Sequence, residues 1–336
     1  MCSKSLFGLE MDAVILGFVR YEIYKLLIKT KNKNRKGKYM IDLLLGGSPC
    51  QGFSFAGKQL NFFDPRSKLF FEYVKAKEIL KPKYFLLENV KMKKEYQDVI
   101  SKHLGVEPIE INSTLVSAQN RKRLYWTNIP NITQPEDKNL TVSNTIDCSK
   151  QRHIIKINYP ETIRETKNYA QYDQSLKGYN SQDQRYFYTY GKVNTITTSR
   201  SSIPKIKIGD TVYLCDANDV EIFQTLPHQY TSGLPDGKRC QLIGNGWTVD
   251  VIAHILSFIP EEYLHTVVSL FDGISCGQIA LERTNKIYNQ YYASEIDIDA
   301  IQIAQKNYPH TMQLGDITII DWVAFNEKID MIQKIA

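Results

Sequence analysis

The stretch Thr266-Val267-Val268-Ser269-Leu270-Phe271-Asp272-Gly273-Ile274-Ser275-Cys276-Gly277 predicts a buried strand, a tight loop and the start of a helix. Its glycines allow a sharp turn and a close approach of backbone to a ligand. Further strands are predicted over residues 291–295 and 311–314, with helices over 275–283 and 297–307 between the strands. This βαβαβ alternation is typical of a parallel α/β sheet, which binds ligands at the carboxyl ends of its strands.

A glycine loop or an acidic residue follows each of these strands. Glu295 ends the second strand, and Gly315-Asp316 follow the third. A carboxylate about twenty residues after a glycine loop can accept hydrogen bonds from ribose hydroxyls. Asp272 in the loop would repel a pyrophosphate, and the loop spacing differs from the Gly-x-Gly-x-x-Gly fingerprint. These features favour a ligand without phosphates and with a cationic or amino group, a description that S-adenosyl-L-methionine fits.

A cysteine follows another apolar run, in Gly46-Gly47-Ser48-Pro49-Cys50-Gln51-Gly52. Residues 40–45 are predicted as a buried strand, so the thiol would stand where α/β enzymes keep their chemistry. Pro49 fixes its own φ and biases Ser48 towards an extended conformation. A thiol held in this way suggests a nucleophile, although free cysteine also commonly packs as a small apolar residue.

Two polar motifs follow in the same half of the sequence. Glu88 lies on the next predicted strand, 84–90, and neighbouring parallel strands would place its carboxylate beside the thiol. A lone acid at a strand end is more often simply solvated. Gln119, Arg121 and Arg123 alternate along an extended segment and would share one face. By itself this alternation is more typical of a basic surface strand.

Composition limits the class of protein. The 336 residues include 43% apolar and 23% charged side chains and carry a net charge of +6, which is compatible with a soluble protein and a polyanionic partner. No apolar stretch has the length of a membrane span, and no signal peptide is expected, because charges interrupt residues 11–28 at spacings that fit an amphipathic helix. The six cysteines contain no Cys-x-x-Cys pair, which argues against a disulfide framework or a metal site and fits a reducing cytosol.

The chain divides into four predicted parts: an N-terminal helix and basic linker over 1–38, a catalytic half over 39–130, a smaller irregular domain over 131–240 and a cofactor-binding half over 241–336. Helices are predicted over 66–80, 94–104, 216–226 and 248–258, and extended segments over 107–115, 123–128, 186–190 and 193–198. The middle region is rich in Tyr, Asn, Gln and Thr. The basic run over 29–38 is predicted to be a solvated linker, with DNA contact as the alternative.

Together these segments resemble the DNA cytosine-5 methyltransferases. The matching residues are Pro49-Cys50-Gln51, Glu88-Asn89-Val90, Gln119-x-Arg121-x-Arg123, Gly244-Asn245-Gly246, Phe271-x-Gly273 with Gly277, Glu295, and Gly315-Asp316. The correspondence extends over the whole catalytic domain of that family. Asn245-Gly246-Trp247-Thr248-Val249 is also similar to the branch with the animal de novo enzymes, a form that phage and bacterial enzymes share. The resemblance implies a Rossmann-like S-adenosylmethionine-dependent sheet and a target-recognition domain over 131–240.

The resemblance also implies a reaction, in which a methyl group passes from S-adenosyl-L-methionine to C5 of cytosine at a short specific sequence of duplex DNA. S-adenosyl-L-homocysteine is the second product. Cys50 would add to C6 of a flipped-out cytosine while Glu88 hydrogen-bonds N3 and the exocyclic amine. Arg123, with Arg121, would orient O2, and Gln119 would support this cluster. Residues 51–66 would close over the base, and the sequence does not identify the group that removes the C5 proton.

The same resemblance implies which residues surround the cofactor. Glu295 would hold the ribose and Asp316 the adenine amine. Phe271 and Ile296 would cover the faces of the adenine. The remaining predicted contacts lie in the glycine loop, after the third strand and beside the methionine end, at Asp272, Gly273, Ile274, Gly277, Ile317, Asn245, Trp247 and Val249.

The motif order departs from that of most of the family, in which the cofactor half precedes the thiol half. In this chain Cys50 comes early and Phe271 late, which predicts a circular permutation with a short connection that costs little loop entropy. Residues 329–332 echo residues 41–44, as a duplication followed by truncation would leave, and chance similarity is the alternative. Because only the first copy leads to Cys50, the tail after Lys328 is expected to have lost its strand role.

Several alternatives stay open. The usual Arg-x-Leu-Thr before the helix over 216–226 is replaced by Val212-Tyr213-Leu214-Cys215, which leaves the attachment of the small domain in doubt. An RNA cytosine methyltransferase and an inactive binding protein are rival hypotheses; the sizeable middle region favours DNA, and the presence of Cys50, Glu88 and Arg123 favours an enzyme. We expect a monomer that binds double-stranded DNA in a bacterial or phage-infected cytoplasm, associated with the nucleoid. A partner subunit and a cognate restriction enzyme are left open.

Overall fold

The computed structural model describes residues 41–49, 69–155, 163–165, 169–172 and 185–335. Cys50, the predicted closing loop over 51–66 and the predicted N-terminal helix and linker over 1–38 lie outside the described residues. Within the described part of the chain, no helix is long and apolar enough to cross a membrane.

The described residues form strands and helices that alternate at both ends of the chain. The strands are β1 (Leu43–Gly46), β2 (Tyr84–Val90), β3 (Ile109–Asn112), β4 (Gln119–Asn120), β5 (Lys122–Thr127), β6 (His153–Ile154), β7 (Ile163–Glu165), β8 (Tyr169–Tyr172), β9 (Arg185–Tyr188), β10 (Val193–Asn194), β11 (Lys205–Ile208), β12 (Thr211–Leu214), β13 (Tyr263–Leu270), β14 (Ile287–Ser294) and β15 (Met312–Gln313). The α-helices are α1 (Leu69–Leu80), α2 (Lys94–Leu104), α3 (Val142–Thr145), α4 (Ala217–Phe223), α5 (Asp236–Asn245), α6 (Val249–Ser257), α7 (Cys276–Arg283), α8 (Ile298–Asn307) and α9 (Trp322–Ile335).

Seven strands form the main sheet, in the order β15-β14-β13-β1-β2-β5-β3. From the central pair β13 and β1, the chain builds outward to one side through β14 and β15 and to the other through β2. Such a reversal of strand order creates a crevice at the carboxyl ends of the two central strands, where α/β sheets bind ligands. The predicted Rossmann-like α/β sheet is confirmed, and the segments leading to Cys50 and Phe271 both leave this crevice.

One strand of the sheet runs against the others. The sequence pattern predicts a parallel sheet, but β5 pairs antiparallel with both β2 and β3. The physical reason is the connection from β3 to β5, which comprises only residues 113–121. A parallel return needs a crossover of about a dozen residues or more, whereas an antiparallel return needs only a short turn.

The core lies on both faces of the sheet. Leu43, Leu44 and Leu45 of β1 are all fully buried. Leu43 and Leu45 belong to a cluster with the apolar residues of α6 and α7, while Leu44 packs in a second cluster with α1 and α9. Strand side chains point alternately to opposite faces, so β1 must be apolar throughout to be covered on both sides.

The last helix confirms one expectation about the tail. Residues after Lys328 continue α9 and form no strand, and Ile329 is fully buried in the cluster that contains α1. Two other boundaries differ from the prediction. Strand β13 begins at Tyr263, inside the predicted connection, because Tyr263 already pairs with Ile287 of β14. Helix α5 was not predicted, since its two glycines and few apolar residues hide the helical period.

A second sheet occupies the middle of the chain, in the order β6-β12-β11-β9-β8-β7. It is attached to α4 by Arg152, whose guanidinium donates to both carboxylate oxygens of Asp219 at 2.8 Å. Both side chains are nearly fully buried, and such a two-point pair fixes orientation as well as distance. The missing Arg-x-Leu-Thr left the attachment of the small domain in doubt. In the structure, Arg152, which directly precedes β6, makes this attachment to α4.

Candidate active site

The carboxyl end of β2 carries an ion pair. Strands β1 and β2 are parallel neighbours with Gly46 opposite Leu87, so Glu88 stands level with Gly47, three residues before Cys50 in the sequence. The Oε1 atom of Glu88 lies 2.9 Å from Nε of Arg123 on β5. Each of the two side chains is only 12% exposed, so the pair is weakly screened by water. The structure therefore brings together Glu88 and Arg123, as the sequence predicts, beside the segment that leads to Cys50.

The second oxygen of Glu88 also has a donor. The indole Nε1 of Trp247 donates to Oε2 at 3.2 Å. Trp247 lies in the short segment between α5 and α6, in the half of the chain predicted to bind the cofactor. The Glu88 carboxylate thus joins the two halves of the main sheet at its carboxyl edge.

Arg121 faces a different set of partners from Arg123. It lies between β4 and β5, is 3% exposed, and donates to the carbonyl oxygens of Ile196 at 2.7 Å and Gly246 at 2.9 Å. A contact of Arg121 with a base stays a prediction. Its hydrogen bonds join the segment between β4 and β5 to the segments that contain Ile196 and Gly246.

Gln119 has a similar structural position. Its buried amide donates to Oε1 of Gln224 at 2.9 Å and to the carbonyl of Phe223 at 3.0 Å, and its own oxygen accepts from the backbone of Ile196 at 2.9 Å. These contacts lie behind the Glu88–Arg123 pair and attach β4 to α4. The predicted supporting role of Gln119 is compatible with this position.

Two polar residues that the sequence analysis did not select hold this region. The buried amide of Gln224 donates to the carbonyl of Ile243 at 3.0 Å, and its oxygen accepts from the Thr248 hydroxyl at 2.8 Å. Asn89 donates to the Ser48 hydroxyl at 3.1 Å and so fixes the turn before Cys50. Asn89 belongs to the quoted motif and could have been selected, whereas Gln224 has no sequence signal.

The loop after β13 has an unusual backbone. Phe271, Gly273 and Ser275 have φ angles of +58°, +57° and +61°. Two of these residues are not glycine, and left-handed conformations of such residues cost about 1 kcal/mol or more each unless their surroundings enforce them. Asp272 supplies the enforcement, because its carboxylate accepts from the Tyr291 hydroxyl at 2.7 Å and from the Ser275 hydroxyl.

The Asp272 side chain acts from beneath the loop. It is 8% exposed, and burial raises its pKa to about 6 in spite of hydrogen bonds that favour the charged form. The loop is also packed closely against the sheet. A methyl group on Gly277 would lie 2.7 Å from Cδ1 of Leu45 and 2.8 Å from the Tyr291 hydroxyl, so only glycine fits at the start of α7.

The strand ends next to this loop present groups that fit S-adenosyl-L-methionine. Glu295 accepts from the backbone of Gly273 at 2.8 Å through Oε2 and from the backbones of Ile296 and Asp297 through Oε1, so Oε2 has a second lone pair with which to accept from a ribose hydroxyl. Ile296 is 69% exposed, an apolar surface on which a flat ring can lie. Hydrogen bonds from the backbone and hydroxyl of Thr318 hold the pKa of Asp316 below its usual range, which keeps it an acceptor for an amino group.

The remaining predicted cofactor residues divide into exposed and buried positions. Asn245 is exposed at the end of α5. Ile274, Ile317 and Val249 are at most 4% exposed and belong to the core clusters. Their predicted cofactor contacts stay predictions, and their packing supports the backbone around them.

The main sheet has the reversed strand order of an α/β ligand-binding fold, with an acidic strand end beside a glycine loop and the Glu88–Arg123 pair near the segment that leads to Cys50. Residues 22–261 and 265–334 match the family described as C-5 cytosine-specific DNA methylase, and the chain belongs to this family.

Among its relatives, the type II methyltransferase M1.ScrFI of Lactococcus lactis subsp. cremoris is 42% identical over 95 residues, which are 25% of this chain and 24% of that protein. The type II methyltransferase M.HgiCI of Herpetosiphon aurantiacus is 33% identical over 135 residues, or 37% and 31% of the two chains. The matched segments thus span less than a third of the length of these relatives. A solved mutant of DNMT2 from Spodoptera frugiperda has a TM-score of 0.44 and 18% identity, covering 70% of this chain and 82% of that one.

Proposed function

We propose that this chain transfers a methyl group from S-adenosyl-L-methionine to C5 of cytosine at a short specific sequence of duplex DNA. The observation that carries the proposal is the Glu88 carboxylate, held by Arg123 at 2.9 Å and by Trp247 at 3.2 Å, at the strand end beside the segment leading to Cys50. Membership of the C-5 cytosine-specific DNA methylase family and the type II methyltransferases among its relatives support the same activity.

In the proposed reaction, the chain's residues first polarise a cytosine that has left the base stack. Glu88 accepts from the exocyclic amine and shares a proton with N3. The Arg123 guanidinium has five N–H donors, and the Glu88 pair and the Lys122 carbonyl engage two of its nitrogens. Further N–H groups are then available to bind O2, where negative charge develops.

The covalent steps belong to Cys50. Its thiolate forms a bond to C6, and the electron pair of the C5–C6 double bond becomes available at C5. When bound, S-adenosyl-L-methionine would supply an electrophilic methyl group, so that the bond from C5 to the methyl carbon forms as the methyl–sulfur bond breaks and S-adenosyl-L-homocysteine is left. A base then removes the C5 proton, the double bond re-forms, and the C6–sulfur bond breaks to release the Cys50 thiolate.

The second sheet is proposed as the target-recognition domain, within the range 131–240. Tyr188 and Tyr190 stack with ring centroids 5.2 Å apart, and Tyr190 is 63% exposed. Exposed tyrosines and basic side chains are suited to contact phosphates and base edges. Arg152 and Asp219 would transmit the position of this sheet to α4 and so to the main sheet.

The motif order is proposed to be a circular permutation. Two separate segments of the chain, 22–261 and 265–334, match one family, and β13 follows β1 and β2 along the chain while lying at the centre of the sheet. We also propose that the protein acts as a monomer in the bacterial cytoplasm, close to the nucleoid.

Bisulfite sequencing of a plasmid expressed with this chain tests the activity, the base and the target together. We expect protected cytosines in one short sequence and none with Cys50→Ser. Methyl transfer to tRNA but not to duplex DNA would favour the RNA-directed alternative, and absence of transfer to either would favour a binding protein.

A further inference from the structure

The indole of Trp247 occupies a position between the two loops that leave the central strands. A methyl group on Gly47 would lie 2.9 Å from Nε1 of Trp247, and one on Gly277 would lie 3.8 Å from its Cζ3. The indole is 8% exposed and donates to Glu88 at 3.2 Å. The ring is therefore packed against the segment leading to Cys50 on one side and against the start of α7 on the other.

We infer that Trp247 is a positioning residue, which fixes the orientation of the Glu88 carboxylate towards the target base. This inference rests on the proposed function and assigns Trp247 a role beyond the predicted cofactor contact. The terminal torsion of a glutamate is broad and roughly two-fold, so a single donor leaves the carboxylate plane free to rotate. Arg123 on Oε1 and Trp247 on Oε2 together fix that plane.

Both partners of Glu88 can only donate hydrogen bonds. An indole N–H and a guanidinium have no acceptor atom, so each carboxylate oxygen must meet them as an acceptor. The two donors therefore hold the two oxygens of one carboxylate from two directions. Removal of the indole donor releases the carboxylate plane and takes away the hydrogen bond to Oε2.

Trp247→Phe keeps a ring in this position and removes the N–H group. Loss of a hydrogen bond to a charged acceptor predicts a fall in kcat of about ten- to a hundred-fold, with the KM for S-adenosyl-L-methionine unchanged. In a Glu88→Gln background, Trp247→Phe should cause no further loss, because its effect passes through Glu88.

Trp126→Phe is the matched control. Trp126 is fully buried, and its indole donates to the Ser101 hydroxyl at 3.0 Å, on the side of β5 away from Glu88. Trp126→Phe removes the same indole N–H group from a similarly buried position, and we expect a wild-type kcat for the folded variant. An equal fall in kcat in both variants would show that general destabilisation is the cause and would overturn the inference.

A second measurement needs no activity. The chain has three tryptophans, so ¹H–¹⁵N spectra contain three indole resonances, and Trp247→Phe identifies one of them. That resonance should move in Glu88→Gln, because a neutral amide replaces the charged acceptor of the indole, while the Trp126 resonance stays in place. An unmoved Trp247 resonance, or a rise in KM for the cofactor at unchanged kcat, would refute the positioning role. If the resonance moves and the wild-type protein transfers no methyl group, the proposed function alone is refuted.

Discussion

Replacement of Arg121 by methionine should destabilise the fold, although the nearby Arg123 in the same motif is proposed to act in the chemistry. Methionine keeps the apolar stem of Arg121 and removes the guanidinium, which is buried and donates to the carbonyls of Ile196 and Gly246. Each buried carbonyl left without a donor costs about 1–3 kcal/mol. The Gly246 carbonyl still accepts from the Gln224 amide at 3.2 Å, so the carbonyl of Ile196 accounts for most of the loss, and relief from burying the charge brings the expected value towards the lower half of that range.

The assay is urea unfolding followed by tryptophan fluorescence, with Arg123→Met as the comparison. Arg123 is more accessible, and after its removal Glu88 still accepts from Trp247, so we expect the smaller stability loss in this variant. Methyl transfer should show the opposite order, with Arg123→Met inactive while folded. A wild-type unfolding midpoint for Arg121→Met, or a larger loss for Arg123→Met, would refute the assignment of Arg121 to a structural role.

Two further predictions concern the loop after β13 and the contact between the two sheets. Burial raises the pKa of Asp272 to about 6 in the folded state. Between about pH 4 and 6 the folded protein therefore binds more protons than the unfolded chain. As pH rises through that window, this group progressively lowers the free energy of unfolding. Asp272→Asn should remove this pH dependence of the free energy of unfolding, which is about 3 kcal/mol at most. Urea unfolding at pH 4.5 and 7 measures it. An unchanged pH dependence would show that the buried Asp272 carboxylate is not its source. Gly244→Ala would place a methyl group 2.2 Å from the carbonyl oxygen of Thr197 and should lower stability by about 1–3 kcal/mol and speed proteolysis of the middle region. A methyl group on Gly237 in the same helix meets nothing within 4 Å, so Gly237→Ala should leave stability and resistance to proteolysis unchanged or improved. Equal stability of the two variants would contradict the close packing at Gly244.

The sequence was most informative where a local pattern alone determines the structure. The predicted bounds of β2 and α2 agree with the structure because a continuous apolar run and an amphipathic period need no information from distant residues. The direction of β5 was predicted wrongly, since it depends on the length of the connection from β3. The adjacency of β1 and β2 was predicted correctly from their order, and with it the position of Glu88 beside the segment that leads to Cys50.

The side chains of the candidate site were harder to predict. Alternation predicts one face for Arg121 and Arg123, but it does not predict that the two arginines have different partners. The partners of Arg121 are backbone carbonyls of the small domain and of the α5 end, and no local pattern records their approach. Gln224 was missed for the same reason, because a glutamine at the end of a helix has no recognisable signal until the segments it joins are known.

The contacts at the central strands also bear on the proposed circular permutation. The two central strands are aligned by their own hydrogen bonds, with Gly46 opposite Leu270, and by Asp42, whose carboxylate accepts from the backbone of His265 at 2.7 Å and Thr266 at 3.1 Å. These contacts lie within and at the amino end of the pair, and none of them depends on which strand comes first. At the other end, the Trp247 indole joins Glu88 by a hydrogen bond to the half of the chain that is predicted to bind the cofactor. A chain that keeps the register of β1 and β13 therefore keeps the site, whichever half it begins with.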